Sequence, residues 1–166
     1  MMKPARMTQA AYVIELLDRF TYEEGQNWQL FKLVVDTLTR LTETRDAFIP
    51  IRSYEMRLLD LIGFRPMLFE CASCRREIQP EDQFFSAEMG GVLCPNCGAR
   101  ADSSRLISMD ALRYLRHFQR SSYQEALKAN PPQKEREEIE GLMNHYLTYH
   151  LEHRLNTPEF MKQIQK

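Results

Sequence analysis

The chain has 166 residues, 43% of them apolar and 27% charged, with a formal net charge of −1. That balance suits a soluble domain with a real core and excludes a chain-wide basic footprint, so any nucleic-acid contact has to come from a local patch. No run of about 18 apolar residues is present to span a membrane, and Met1-Met2-Lys3-Pro4-Ala5-Arg6 has no apolar stretch behind it, which reads against a signal peptide.

From Thr8 to Phe20, the residues Ala10, Ala11, Ile14, Leu17 and Phe20 recur at helical spacing, with Glu15, Asp18 and Arg19 on the other side. Thr21 to Gln26 breaks the pattern. Asn27 then reads as the N-cap of a second helix whose buried stripe is Leu30, Phe31, Val34, Val35, Leu38 and Leu41. A third helix is predicted from about Ile51, with Ile51, Tyr54, Leu58, Leu61 and Ile62 inward. Gly63 is placed to be its left-handed C′ residue, and Pro66 prevents continuation. Three amphipathic helices with short links predict a bundle.

Helical periodicity stops between Met67 and Ser104. Phe84-Phe85-Ser86 and Val92-Leu93-Cys94 read as short strands, with Gly90-Gly91 turning between them. The chain's four cysteines all fall here, as Cys71-Ala72-Ser73-Cys74 and Cys94-Pro95-Asn96-Cys97. A Cys-x-x-Cys step lets two thiolates from one turn point at one ion, and two such turns make the tetrahedral four-sulfur site that Zn²⁺ prefers. Gly98 follows the last cysteine, where such a knuckle often needs a positive φ. Disulfides or four unrelated thiols are the plainer readings; with no secretion signal, the spacing favours one structural Zn²⁺ on Cys71, Cys74, Cys94 and Cys97. A full sulfur shell leaves no open position for catalytic water. Zinc would stabilise a module too small to hold itself by burial.

Helices resume after Ile107. Ser108 is a good N-cap, Asp110 sits in the first turn, and Met109, Leu112, Leu115 and Phe118 form an inner face. Tyr123 to Ala129 predicts a short helix closed by Asn130-Pro131-Pro132. The last helix is predicted from about Lys134 to Leu155, with Ile139, Leu142, Met143, Tyr146, His150 and Leu151 inward. Its acidic start and the basic His153 and Arg154 at its end match the helix dipole, and Pro158 terminates it. The expectation is a mainly α chain, a helical bundle with a small zinc-ribbon-like β-module inserted. Residues 1–66 supply the N-terminal helices, 67–104 the four-cysteine zinc module, and 105–166 the helices completing the same bundle.

Basic residues gather around the module. Arg75 and Arg76 follow the first cysteine pair, Arg100 and Arg105 flank the second, and Arg113, Arg116 and Arg120 share a helix face at i, i+3, i+7 spacing. They are the candidate DNA-phosphate contacts; the plainer reading is a solvated helix face. His145, His150 and His153 lie on the last helix and read as packing or surface histidines. No Ser-His-Asp pattern, phosphate loop or acid/base dyad stands out, which argues against an enzyme.

Several stretches carry a resemblance in combination. They are Tyr12 to Phe20, Arg52-Ser53-Tyr54-Glu55-Met56-Arg57 through Pro66, Phe85 to Cys97 with Ser86, Gly90 and Gly91, Ser108 to Leu115, and Tyr149 to Leu155. Together they resemble the bacterial RecO family over essentially the whole chain. The resemblance implies a non-enzymatic, cytoplasmic, nucleoid-associated factor of RecF-pathway DNA repair and recombination. Such a factor binds DNA, helps load RecA onto strands coated by single-stranded-DNA-binding protein, anneals strands, partners with RecR and answers DNA damage. It also assigns the zinc to the four cysteines, and transfers no DNA or partner contact residue by residue. The family begins with an N-terminal OB-fold that binds single strands. This sequence starts almost at the first helix, so the expectation is a fragment, a misplaced start or a truncated form, with strand binding and annealing the functions affected. Two other classes compete: a zinc-stabilised helical adaptor that binds only proteins, and a metal-dependent hydrolase.

Overall fold

A computed structural model describes residues 4–20 and 28–155 of the chain. The expected break at 21–26, the Asn27 cap, Pro158 and the tail, and the side chains of Phe20 and Arg154, lie outside the described residues. Among the described residues, seven helices and three strands follow in the order α1 (Pro4–Phe20), α2 (Trp28–Glu43), α3 (Phe48–Leu61), β1 (Gln83–Ser86), β2 (Gly91–Leu93), α4 (Pro95–Arg100), β3 (Arg105–Ile107), α5 (Met109–Arg120), α6 (Tyr123–Ala126) and α7 (Gln133–Leu155). The fold is mainly α with a small antiparallel sheet set between helices, as expected. Two compact units divide it: residues up to 65 with 114–132, and 66–113 with those from 133 onward. The boundary passes through α5.

In the first unit, α3 is the buried centre, with every residue from Ile49 to Met56 buried. It starts at Phe48, three residues earlier than predicted, because Pro50 is tolerated within a first turn. Asp46 Oδ1 accepts from the Phe48 N–H at 3.0 Å there. Its C-terminus closes as expected: Gly63 has φ 89°, its N–H donates to Asp60 O, and the Phe64 N–H donates to Leu59 O at 2.8 Å. That double bond pattern is the Schellman motif. Leu61 and Ile62, expected inward, are half-buried.

The outer helices present different faces from those the periodicity suggested. On α2 the buried stripe is Leu30, Val34, Thr37 and Leu41, while Phe31 and Val35 are exposed. Thr37 can go inside because its hydroxyl donates to Leu33 O at 2.7 Å. On α1, Val13 and Leu16 are buried and Ile14 is exposed. Apolar residues surround this helix, so hydrophobic spacing alone does not select a face. Polar contacts select it: Tyr54 donates to Val13 O at 2.7 Å, and the Tyr12 hydroxyl donates to Glu55 Oε2 at 2.6 Å. Glu55 Oε1 lies 2.6 Å from Arg52 Nε, and both side chains are buried. Burial, and then the Glu55 charge, raise the Tyr12 phenol far above its ordinary range. The unit is completed by Phe118, which meets Phe48 edge-on at 6.2 Å, and by Arg57, which donates to Ser121 O at 2.8 Å.

In the second unit the strand order is β2-β1-β3, antiparallel throughout. The hairpin pairs Phe84 with Leu93, Phe85 with Val92 and Ser86 with Gly91, and Gly90 turns it at φ 86°. Strand β3 was not anticipated, since three residues bounded by Ser104 and Ser108 carry no usable period. Phe85 points from the sheet into the core and meets Tyr146 of α7 edge-on at 5.5 Å. Ser108 caps α5 as expected, its Oγ accepting from the Ala111 N–H at 3.1 Å. Glu138 of α7 accepts from both the Ser108 N–H and its hydroxyl, at 2.6 and 2.8 Å, and Asp82 accepts from the Met109 N–H at 2.9 Å. Two carboxylates thus sit where the helix N-terminus favours them. On α7 the buried residues are Ile139, Leu142, Met143, Tyr146 and Leu147, with His150 and Leu151 half-buried.

His150 packs edge-on to Tyr146 at 4.3 Å. Burial first, and then His153, lower its pKa to about 4. The folded state therefore favours the neutral ring, whereas the unfolded chain takes up a proton near its ordinary value of about 6.5. Its contribution is complete above that value and is lost as the pH falls toward 4. Urea midpoints between pH 7 and 5 are expected to fall less steeply in His150→Gln than in the parent; equal slopes would contradict the burial argument.

Candidate metal centre and nucleic-acid interface

The four cysteine sulfurs all lie within 4.8 Å of one another. Cys74 Sγ and Cys94 Sγ are 3.9 Å apart. Four sulfurs at about 2.3 Å from one tetrahedral ion stand about 3.8 Å from each other, so the set has the dimensions of a metal cage. A disulfide needs about 2.05 Å, and all four thiols are free. The first pair sits in a tight turn in which the Arg75 N–H donates to Cys71 O at 3.0 Å and the Cys71 N–H to Arg76 O at 2.8 Å. The left-handed residue of this knuckle is Arg75, at φ 67°.

The second pair is built differently. Strand β2 ends at Leu93, one residue short of the expected Cys94, which instead precedes α4; Pro95 opens that helix and Cys97 lies inside it. Helix α4 was not expected from the sequence; proline at a first helical position is the signal that could have found it. Gly98 accordingly has helical backbone and no positive φ, which corrects the knuckle expectation. A glycine is needed there for space, because a Cβ would stand 2.2 Å from the Phe84 ring.

Electrostatics favour thiolate at the buried centre of the set. Burial raises the Cys71 thiol, but the N–H groups of Cys74, Cys94 and Ser73 aimed at its sulfur outweigh this and bring it to about 6. Two of those N–H groups lie 3.5 and 3.4 Å from Sγ. Cys97 is pushed up to about 11, first by the hydrogen bond it shares with Cys94 and then by burial. Crowded sulfurs that hold protons against one another release them to a cation.

The arginines are distributed over both units. Arg75, Arg76, Arg100, Arg105 and Arg113 belong to the second unit and are exposed. Arg75 Nη1 reaches Met67 Sδ at 3.3 Å, Arg105 Nη1 donates to Gly141 O at 3.3 Å, and Arg113 stands 3.7 Å from Asp110. Arg116 and Arg120 belong to the first unit. Arg116 is half-buried, and burial, then Arg120, lower its pKa. His117 is held by Ser121 Oγ and Glu125 O, each at 3.1 Å. Among the described residues the only His/Cys/Asp/Glu group with metal-binding dimensions is the cysteine set, and no helix is long and apolar enough to cross a membrane.

Residues 2–159 match the family described as Recombination protein O C terminal. The chain belongs to this family. Among its curated relatives is a DNA repair protein RecO from Roseiflexus sp. (strain RS-1), 31% identical over 97% of this chain and 57% of the relative. The RecO of Desulforamulus reducens is 33% identical over 97% of this chain and 62% of the relative. That of Bacillus pumilus is 32% identical over 94% and 60%. The chain thus spans about three fifths of the length of the RecO proteins it matches.

Proposed function

We propose that the chain is the C-terminal part of a RecO-type mediator of DNA repair and homologous recombination, acting by binding rather than by catalysis. The family match over residues 2–159 carries this reading. In it, Cys71, Cys74, Cys94 and Cys97 hold one structural Zn²⁺, and Arg75, Arg76, Arg100, Arg105, Arg113, Arg116 and Arg120 contact phosphates. By family, the working partners are DNA, RecR and single-stranded-DNA-binding protein, the task is RecA loading and strand annealing, and the place is the cytoplasm at the nucleoid. The metal is a poor candidate for chemistry because four thiolates fill a tetrahedral shell.

The test is salt-dependent retention of single- and double-stranded DNA by the parent and by the Arg113→Glu, Arg116→Glu, Arg120→Glu triple variant. Each phosphate contact on a single strand contributes about 0.7 to the slope of log K against log salt. The variant is expected to lose at least tenfold in retention and to flatten that slope, with its helical circular dichroism unchanged. Unaltered retention would overturn the arginine assignment; no retention by the parent itself would favour a protein-only adaptor.

A further inference from the structure

The apolar residues that α1 and α2 leave outside the first unit form one surface. Met7 and Ile14 stand two turns apart on α1, and Trp28, Phe31 and Val35 follow an i, i+3, i+7 spacing on α2; all five are 44–73% exposed. The Arg6 guanidinium donates to Leu41 O, so the start of α1 lies against the end of α2 and the two helices run antiparallel. The face of α1 that carries Arg6 and the half-buried Ala10 and Leu17 is therefore the one turned to α2, and Met7 and Ile14 flank it. On α2 the flank of Gln29, Leu33 and Asp36 lines a cleft with α3, which leaves Phe31 on the flank toward α1. Both stripes thus border one seam. Folded chains normally scatter exposed apolar side chains singly, and five grouped along a helix pair mark a surface that another body covers.

The rims of this surface carry opposite charges. Asp18 lies outside Ile14 on α1, and Lys32 lies outside Trp28 on α2; both are exposed, and neither has an ion pair among the described residues. Counting equal numbers of residues from the Arg6–Leu41 contact puts Asp18 level with Gln29, within about one helical turn of Lys32. The same count puts Ile14 level with Leu33, between Phe31 and Val35.

We propose that a second copy of this chain covers the surface. The two-fold axis runs along the helices and lays α1 of each copy over α2 of the other. This symmetry keeps every residue at its own level, so Asp18 of one copy meets Lys32 of the second, and the contact is repeated in reverse. Ile14 of one copy enters the gap between Phe31 and Val35 of the second, as a knob enters a hole. Trp28 and Phe31 already stack on each other at 5.6 Å and supply the rigid aromatic anchor that such interfaces favour. The opposite rims select this occupant: an anionic lipid surface or an acidic peptide would set negative charge against Asp18, whereas the chain's own copy pairs both charges. The dimer goes beyond the repair-factor reading and uses neither the sulfurs nor the arginines assigned above.

The test is sedimentation equilibrium of the full chain over a wide range of concentration, with fluorescence as a second reading, since Trp28 is the chain's only tryptophan. Expected are a monomer–dimer equilibrium and a blue shift of the Trp28 emission as dimer forms. Phe31→Glu and Ile14→Glu are each expected to weaken the dimer by at least about tenfold, with helical circular dichroism unchanged because both side chains are exposed. Asp18→Lys alone sets like charges together and is expected to weaken the dimer by about tenfold, and Asp18→Lys combined with Lys32→Asp is expected to restore it. These two exposed positions keep the test open if a face variant fails to fold. A chain that stays monomeric throughout overturns the proposal and leaves the surface to a different protein. So does a dimer indifferent to Phe31→Glu and Ile14→Glu, or a double charge reversal that restores nothing.

Discussion

Chelating the proposed zinc, or replacing Cys71 by serine, is expected to unfold the second unit's β-module while the helices of the first unit keep their protection. The three strands are three or four residues long. Strands that short make few ladder hydrogen bonds and depend on what they pack against. The strands themselves contribute only four fully buried apolar residues, Phe85, Val92, Leu93 and Ile107. Metal binding in small cysteine modules is worth about 10–16 kcal/mol, comparable to or above the roughly 6–12 kcal/mol that burying four such side chains supplies. Hydrogen exchange after chelation is expected to accelerate across 67–107 and to leave Ile51 to Leu59 slow. Protection lost equally in α3, or retained in the strands, would show that the sulfurs do not hold the module together.

Replacing Glu55 by alanine is expected to cost about 3–5 kcal/mol, the usual penalty for breaking a buried pair. Glu55 is 1% exposed and faces Arg52, 8% exposed, and Tyr12. Its removal strands a buried guanidinium that already has one nitrogen, Nη1, without a partner among the described residues. The Arg52→Met, Glu55→Leu double variant removes both charges and is expected to recover most of that loss, since apolar replacements of buried pairs are often neutral or better. Urea unfolding of the two singles and the double gives the coupling. A double variant as unstable as the sum of the singles would contradict the pairing.

The same pair explains what the run from Arg52 to Arg57 is for. Arg52-Ser53-Tyr54-Glu55-Met56-Arg57 looks on paper like a run of functional groups. In the fold, Arg52 and Glu55 pair inside, Tyr54 ties α1 to α3, and Arg57 anchors the turn before α6. The motif builds the core of the first unit.

Spacing made the cysteine set legible, because two Cys-x-x-Cys steps need no tertiary knowledge to be read as one cage. Gly63 was legible for the same reason: a helix that must stop needs a left-handed residue. The faces of α1 and α2 were not, because Ile14, Phe31 and Val35 satisfy helical periodicity yet are exposed. What turned α1 was a buried hydroxyl-carboxylate contact between residues 43 positions apart. Strand β3 escaped notice because Arg105 and Leu106 are exposed and only Ile107 is buried. Whether the arginines act together was equally beyond periodicity, since the chain deals them to different units.

In the proposed reading the zinc holds the fold and binding happens elsewhere on the chain. The most direct measurement is the absorption spectrum of the cobalt-substituted protein, recorded with and without single-stranded DNA. Expected is one cobalt per chain in a tetrahedral four-thiolate environment, unchanged by DNA. A shell containing water, or one altered when DNA is added, would contradict it.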